Sequence, residues 1–194
     1  MDYEFAVGGT RTTVSGGTGV LLLHPSIGQT DAVDNDFLRT DTDRFLVVST
    51  RTTAREVEQK LEYYDEVDES RAEILDTLSV ERGYSRRPSD TLHYVSAPDD
   101  LDGILEEVES FLARTDGKRR LSVDSLTEMA YYADEDRVYD ATAETLALLE
   151  TYDATGLFHL SKEVHDEATL DEFRSSFDVV VDLDDDGTVT VTGV

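Results

Sequence analysis

Short unbroken apolar runs alternate with longer amphipathic stretches along most of this chain, and that alternation constrains the fold more than any other feature. Val20-Leu21-Leu22-Leu23 and Phe45-Leu46-Val47-Val48 are continuous runs, the pattern of strands buried on both faces. Between them, Thr30 to Thr40 has room for a short helix. Thr53 and Glu56 form a T-x-x-E capping box, and Ala54, Val57, Leu61 and Tyr64 place one apolar face on the helix it starts. A second helical stretch is expected around Ile74, Leu75 and Leu78, ending at Gly83. Leu92-His93-Tyr94-Val95 reads as a strand, and Leu101, Ile104, Leu105, Val108, Phe111 and Leu112 as an amphipathic helix. Leu121-Ser122-Val123-Asp124 reads as a strand ending in an acid. A helix around Val138 to Leu149, a strand over Gly156 to Leu160 and a capped helix with Thr169, Glu172, Phe173 and Phe177 continue the alternation. Val179-Val180-Val181 and Thr188-Val189-Thr190-Val191 flank Asp186-Gly187, a hairpin signal. The expected class is therefore α/β: a mostly parallel sheet with helices on both faces and a C-terminal antiparallel hairpin. Residues 1–18 are glycine-rich and read as a lead-in or hairpin before a single domain over 19–194.

Charge narrows the function classes. The chain carries 17 Lys+Arg against 44 Asp+Glu, a formal net charge of −27, with 39% hydrophobic residues. The recurrent apolar pattern separates it from disordered acidic tails, and 194 residues suffice for one sizeable core. The absence of cysteine excludes disulfides and thiolate metal sites. Met1-Asp2-Tyr3-Glu4-Phe5 is not a basic region followed by an apolar stretch, and no apolar run approaches a membrane span, so a cytoplasmic protein is expected. Lys60, Lys118 and Lys162 are the only lysines, and the other basic residues are arginines. With abundant Asp, Glu, Thr and Val, this composition resembles that of haloarchaeal proteins. The resemblance implies an acidic surface that stays solvated at molar salt, where the Debye length is about 3 Å or less. Nucleic acid is not an expected partner, because high salt removes the counterion-release driving force. The basic clusters Arg86-Arg87 and Lys118-Arg119-Arg120 are short and read as solvated loops.

Ligands of parallel α/β sheets bind at the carboxyl ends of the strands. Two such ends carry candidate residues: His24-Pro25-Ser26-Ile27-Gly28-Gln29-Thr30, and Asp124-Ser125. A phosphate-binding loop takes the form G-x-x-x-x-G-K-[ST], in which glycines let backbone N–H groups close around phosphate, lysine neutralises its charge and the hydroxyl holds Mg²⁺. Aligned on Gly28, Leu23 stands in place of the first glycine and Gln29 in place of the lysine. Gly28 and Thr30 fit.

The order of strand, Gly-x-Thr loop, helix, strand, helix and then Asp124-Ser125-Leu126-Thr127-Glu128 resembles the RecA superfamily, in particular the branch of the clock protein KaiC and the archaeal recombinase RadA. Thr155-Gly156-Leu157-Phe158 and Phe177-Asp178-Val179-Val180-Val181-Asp182-Leu183 look like that family's next two strands, so the resemblance runs from Gly19 to Val194. It implies a three-layer RecA-like P-loop NTPase core. It also implies that Thr30 matches the Mg²⁺-coordinating hydroxyl, Gly28 a loop glycine and Asp124 the Walker B acid. Gln29 and the segment Ser49-Thr50-Arg51-Thr52-Thr53 depart from the pattern, the first from the phosphate lysine and the second from the catalytic glutamates. Loss of a charge-assisted phosphate contact is worth about 1.5–3 kcal/mol, roughly ten- to a hundred-fold in affinity. Phosphoryl transfer then lacks both its cation and its water-positioning carboxylate.

The expectation is a degenerate member with no catalytic residues: a non-hydrolysing regulatory or scaffold protein, a pseudo-ATPase, acting through assembly. Its partner would be another copy, an active RecA-like paralogue or a signalling protein. The alternatives are a conformational switch that binds ATP and Mg²⁺ at low affinity through Gly28, Gln29, Thr30 and Asp124, or an accessory factor in DNA recombination. No cofactor is required in the first reading. Four histidines, His24, His93, His159 and His165, lack a metal-binding helix spacing, and His24 and His159 are expected to approach each other as partly buried strand-end residues. No G-x-S-x-G elbow surrounds Ser26, Ser49 or Ser125. Tyr131-Tyr132 is expected to pack, and Asp182 to Asp186 reads as a solvated hairpin tip, lacking the continuation of a Ca²⁺ loop.

Overall fold

The structure, a computed structural model, describes residues 1–7, 9–26, 30–63, 71–84 and 87–193. Strands β1 (Asp2–Val7) and β2 (Thr10–Ser15) pair as a separate antiparallel hairpin. The chain then runs β3 (Gly19–His24), α1 (Asp31–Arg39), β4 (Arg44–Ser49), α2 (Ala54–Tyr63), β5 (Ala72–Asp76), β6 (Leu92–Tyr94), α3 (Leu101–Arg114) and β7 (Arg119–Asp124). It ends with α4 (Leu126–Tyr132), α5 (Glu135–Thr151), β8 (Thr155–Ser161), α6 (Glu167–Ser176), β9 (Val179–Leu183) and β10 (Val189–Thr192). Eight strands form one sheet in the order β10-β9-β3-β8-β7-β4-β5-β6. All neighbours are parallel except β9 and β10, the expected C-terminal hairpin.

The continuous apolar runs are explained by two cores, one on each face. Leu21 and Leu23 of β3, with Leu46 and Val48 of β4, face a layer built by α3, α4, α5 and α6. Val20, Leu22, Phe45 and Val47 face α1, α2 and the N-terminal hairpin. Successive side chains of a strand point to opposite faces, so a strand covered on both sides must be apolar throughout. The hairpin is part of the second layer: Tyr3, Phe5 and Val7 are fully buried, and Phe5 meets Phe37 of α1 edge to face at 6.4 Å.

Two expectations are corrected. Ile74 and Leu75 lie in the fully buried strand β5 and not in a helix, while Leu78 follows in a turn. The strand was disguised by Glu73, whose buried carboxylate is held by Arg114 of α3 and by His93 of β6 at 3.0 Å. The cluster Lys118-Arg119-Arg120 is likewise no solvated loop. Lys118 pairs with Asp41. Arg119 donates to the carbonyls of Leu112 at 2.6 Å and Thr115 at 3.0 Å. Arg120 is fully buried between the rings of Phe37 and Tyr3, 4.6 and 5.3 Å from their centroids, and donates to the Glu4 carbonyl at 2.6 Å. Burial pulls its pKa down to about 10, so it stays charged at neutral pH.

Polar side chains start the helices. Asp100, Ser125, Asp134 and Asp166 each accept a first-turn N–H of α3, α4, α5 and α6, respectively, satisfying donors that have no partner inside the helix. At α2, Glu56 reaches back to the Thr53 N–H and hydroxyl, both at 2.8 Å, as the capping box requires. The fully buried Asp76 at the end of β5 completes this corner. Its Oδ2 accepts from the Ala54 N–H at 2.7 Å and from the Ser79 hydroxyl at 2.7 Å, and its Oδ1 from the Leu78 and Ser79 N–H groups at 2.8 Å. Asp76→Ala strands these donors in the interior and is expected to lower the unfolding free energy by about 3 kcal/mol, measured by guanidinium denaturation.

Candidate functional site

The carboxyl ends of β4, β5 and β7 are in register: Ser49 lies opposite both Asp76 and Asp124. On the other side of β7, its neighbour β8 brings His159 to the same end of the sheet, and β3 brings His24. Topology alone therefore gathers residues far apart in sequence at the edge where α/β sheets bind ligands.

Thr50 fixes the turn after β7. Its N–H donates to the Asp124 carbonyl at 2.8 Å, its hydroxyl donates to the Ser125 carbonyl at 3.0 Å, and its Oγ1 accepts the Ser125 N–H at 2.6 Å. Ser49 turns its hydroxyl to the Thr52 carbonyl at 2.7 Å. Both hydroxyls at the end of β4 are thus committed to backbone groups. Ser125 caps α4, and Ser26 meets Ser161 at 2.8 Å, so neither is paired with a base.

The next residue, Arg51, places its Nε 2.6 Å from Asp124 Oδ1. The contact is an ion pair without a well-aligned hydrogen bond. Behind it, His159 is fully buried, with Nε2 2.8 Å from Asp34 Oδ1 of α1 and Nδ1 3.9 Å from Asp124 Oδ1. Ser122 also donates to Asp34 Oδ1 at 3.2 Å. Two cations thus interleave with two carboxylates when His159 is protonated, and the formal charges cancel. The shifts follow. Desolvation pushes the Asp124 pKa up, but His159 and Arg51 together outweigh it and hold the carboxyl below its usual value. Burial pushes His159 down, and Asp34 and Asp124 more than reverse it, so its pKa is raised. Arg51 is raised as well, its desolvation outweighed by Asp124, Asp34 and Glu128.

His24 and His159 do approach each other, with ring centroids 5.6 Å apart. Both are almost completely inaccessible, at 2% and 0% exposure, rather than partly buried. His24 lies 2.8 Å from the Pro25 carbonyl, which can only accept, so its Nδ1 carries the proton. Burial lowers its pKa. Tyr131 does not pack as expected: it is 82% exposed, in edge contact with Tyr132.

Gly28 and Gln29 lie outside the described residues. Thr30 is buried and precedes α1, its carbonyl accepting the Val33 and Asp34 N–H groups at 2.9 and 3.1 Å. Its side chain makes no capping hydrogen bond. Between α1, α2 and the sheet end lies a cavity of about 60 Å³ lined by Asp31, Asp34, Asn35, Ser49, Lys60 and Asp124, among others. Ligand pockets run to roughly 300–1,000 Å³, so this space suits a few waters. Its cation, Lys60, is already paired with Asp31 at 3.3 Å. Among the described residues, no group of three or more His, Asp or Glu converges as a metal site requires. Mg²⁺ and nucleotide phosphates therefore do not fit the side chains described here: a cation meets Arg51, and an anion meets Asp31, Asp34 and Asp124.

The sequence matches DUF7090, a family of unknown function, over residues 1–193. The chain belongs to this family. No curated protein sequence matches it. Among solved structures it is similar to a KaiC-like protein of the hyperthermophilic archaeon Pyrococcus horikoshii, with a TM-score of 0.60 and 17% identity over 91% of this chain and 79% of that one. A second Pyrococcus horikoshii protein aligns with a TM-score of 0.64 and 11% identity over 92% and 87% of the two chains. An ATPase of the type III secretion system of pathogenic bacteria aligns with a TM-score of 0.60 and 15% identity. The alignment covers 90% of this chain and 53% of that ATPase. At these identities the likeness shows the fold, which is that of KaiC-like and ATPase (RecA-like) proteins. Among the described residues no helix is long and apolar enough to cross a membrane.

Asp124 is visible in the sequence as an acid ending an apolar run, and Arg51 as a departure from a pattern. Asp34, Ser122 and the pairing of His159 share no local motif and are not visible there. Nor does the sequence mark a chain in which Thr127 Oγ1 lies 3.0 Å from His165 Nε2, and His165 Nδ1 lies 2.5 Å from Glu135 Oε1, joining α4 to α5.

The raised pKa of His159 has a measurable sign. With a folded value above the unfolded value near 6.5, its stabilisation is complete below that pH and is lost as pH rises through the folded value. The stability difference between wild type and His159→Gln is therefore expected to shrink as pH rises above the unfolded value near 6.5, measured by denaturant midpoints. A difference that is flat or grows with pH contradicts the assignment.

Proposed function

We propose that this chain is a non-hydrolysing regulatory or scaffold protein on a RecA-like core, acting through protein–protein assembly. The observation that carries the reading is the end of β4. Ser49 and Thr50 are turned to backbone groups, and the charged residue that follows is Arg51, paired with Asp124. In-line phosphoryl transfer draws its rate from cations around the transferring group and from a residue that orients the attacking water. Arg51 faces a carboxylate here, and no acid occupies the strand end.

The composition supports a halophilic archaeal cytoplasm as the setting, with a net charge of −27 and three lysines among 17 basic residues. The partner is a second copy, an active RecA-like paralogue or a signalling protein. In this reading the assembly surface of the fold is kept while turnover is lost.

Two measurements in about 2 M KCl test it together: phosphate release from ATP with Mg²⁺, and light scattering with and without nucleotide. No turnover above background and a nucleotide-independent assembly state are expected. Mg²⁺-dependent turnover that Thr30→Ala abolishes contradicts the reading, and an assembly state that changes with ATP favours the switch.

A further inference from the structure

The poor fit of metal and nucleotide has a specific cause at the carboxyl end of β7. A divalent ion bound there would need oxygen ligands arranged around it. Asp124 Oδ1 is instead faced by Arg51 Nε at 2.6 Å. The nearby Asp34 Oδ1 is engaged by His159 Nε2 at 2.8 Å and by the Ser122 hydroxyl at 3.2 Å. The hydroxyls of Ser49 and Thr50 serve backbone carbonyls. Among the described residues, one oxygen each of Asp124 and Asp34 and the hydroxyls of Ser49 and Thr50 are thus already engaged by the protein's own groups.

We propose that Arg51 is a tethered cation that takes the place of a divalent metal ion at Asp124, so that the site is closed and charge-balanced without metal or nucleotide. This rests on the non-hydrolysing reading and deepens it. A bound ion leaves when its concentration falls, whereas a guanidinium carried by the chain is always present and always charged. The end of the sheet therefore has one state, and the surface it supports is constitutive rather than gated by nucleotide. The arrangement also hides a latent metal site. Without the Arg51 charge, Asp124 and Asp34 are two carboxylates sharing one buried histidine, an excess of negative charge that a small divalent cation can relieve.

Mn²⁺ is the probe, followed by electron paramagnetic resonance in about 2 M KCl, where the acidic surface binds it weakly. Wild-type protein is expected to show no Mn²⁺ site that Asp124→Asn removes. Arg51→Gln is expected to gain one site, about tenfold or more tighter than any in wild type, and to lose it when combined with Asp124→Asn. Mn²⁺ should also raise the melting temperature of Arg51→Gln and not of wild type. If Arg51→Gln is partly unfolded, Mn²⁺ should restore its folded fraction, read by circular dichroism.

An Asp124-dependent Mn²⁺ site in wild type overturns the proposal. So does an Arg51→Gln protein that is folded and gains no site, or one that is unfolded and not restored by Mn²⁺. The underlying reading fails separately: ATP hydrolysis that survives Asp124→Asn strikes at the non-hydrolysing function alone. An Asp124-dependent Mn²⁺ site without hydrolysis strikes at the role of Arg51 alone.

Discussion

Charges largely withdrawn from water at the end of a sheet are costly unless they neutralise one another. In this chain the constraint is met by Arg51, Asp124, His159 and Asp34, drawn from the turn after β4, from β7, from β8 and from α1. The strand order sets the pairing. With β7 between β4 and β8, a cation arrives at Asp124 from each side, and α1 supplies the second carboxylate. The same crevice between strands that serves phosphate recognition in other α/β proteins is filled here by the protein's own ions. What remains is a cavity of about 60 Å³.

The large acid surplus is used in more than one way. Asp100, Asp134 and Asp166 start helices, and Asp76 holds the corner between β5 and α2. The Asp76 contacts are buried, so they persist at salt concentrations that screen the surface, whereas the caps of Asp134 and Asp166 are exposed. Exposed pairs such as Arg174 with Glu167 contribute little under those conditions. At the opposite end of β7, Arg120 answers the problem of buried charge differently, resting between two aromatic rings with one carbonyl acceptor. The strand is thus bounded by a buried cation at one end and a buried anion at the other.

The layer order was legible because its signal is local. Val20 to Leu23 and Phe45 to Val48 could only be doubly covered strands, and Asp186-Gly187 marked the closing hairpin. Glu73 hid β5, since a buried carboxylate is recognisable only when its partners, Arg114 and His93, are in view. Arg120 was misread for the same reason, its aromatic partners lying more than 80 residues upstream. The site divides along this line. Asp124 stands at the end of an apolar run and could be found from its neighbours. The roles of Arg51, Asp34 and His159 follow from strand order, which no short window of sequence contains.

If Arg51 and His159 balance Asp124 and Asp34 as proposed, the end of β7 needs neither metal nor nucleotide. Calorimetric titration of ATP, ADP and Mg²⁺ into the folded protein in about 2 M KCl, with Thr30→Ala alongside, tests it most directly. No binding heat in either protein is the predicted result. Micromolar nucleotide binding that Thr30→Ala abolishes would contradict it.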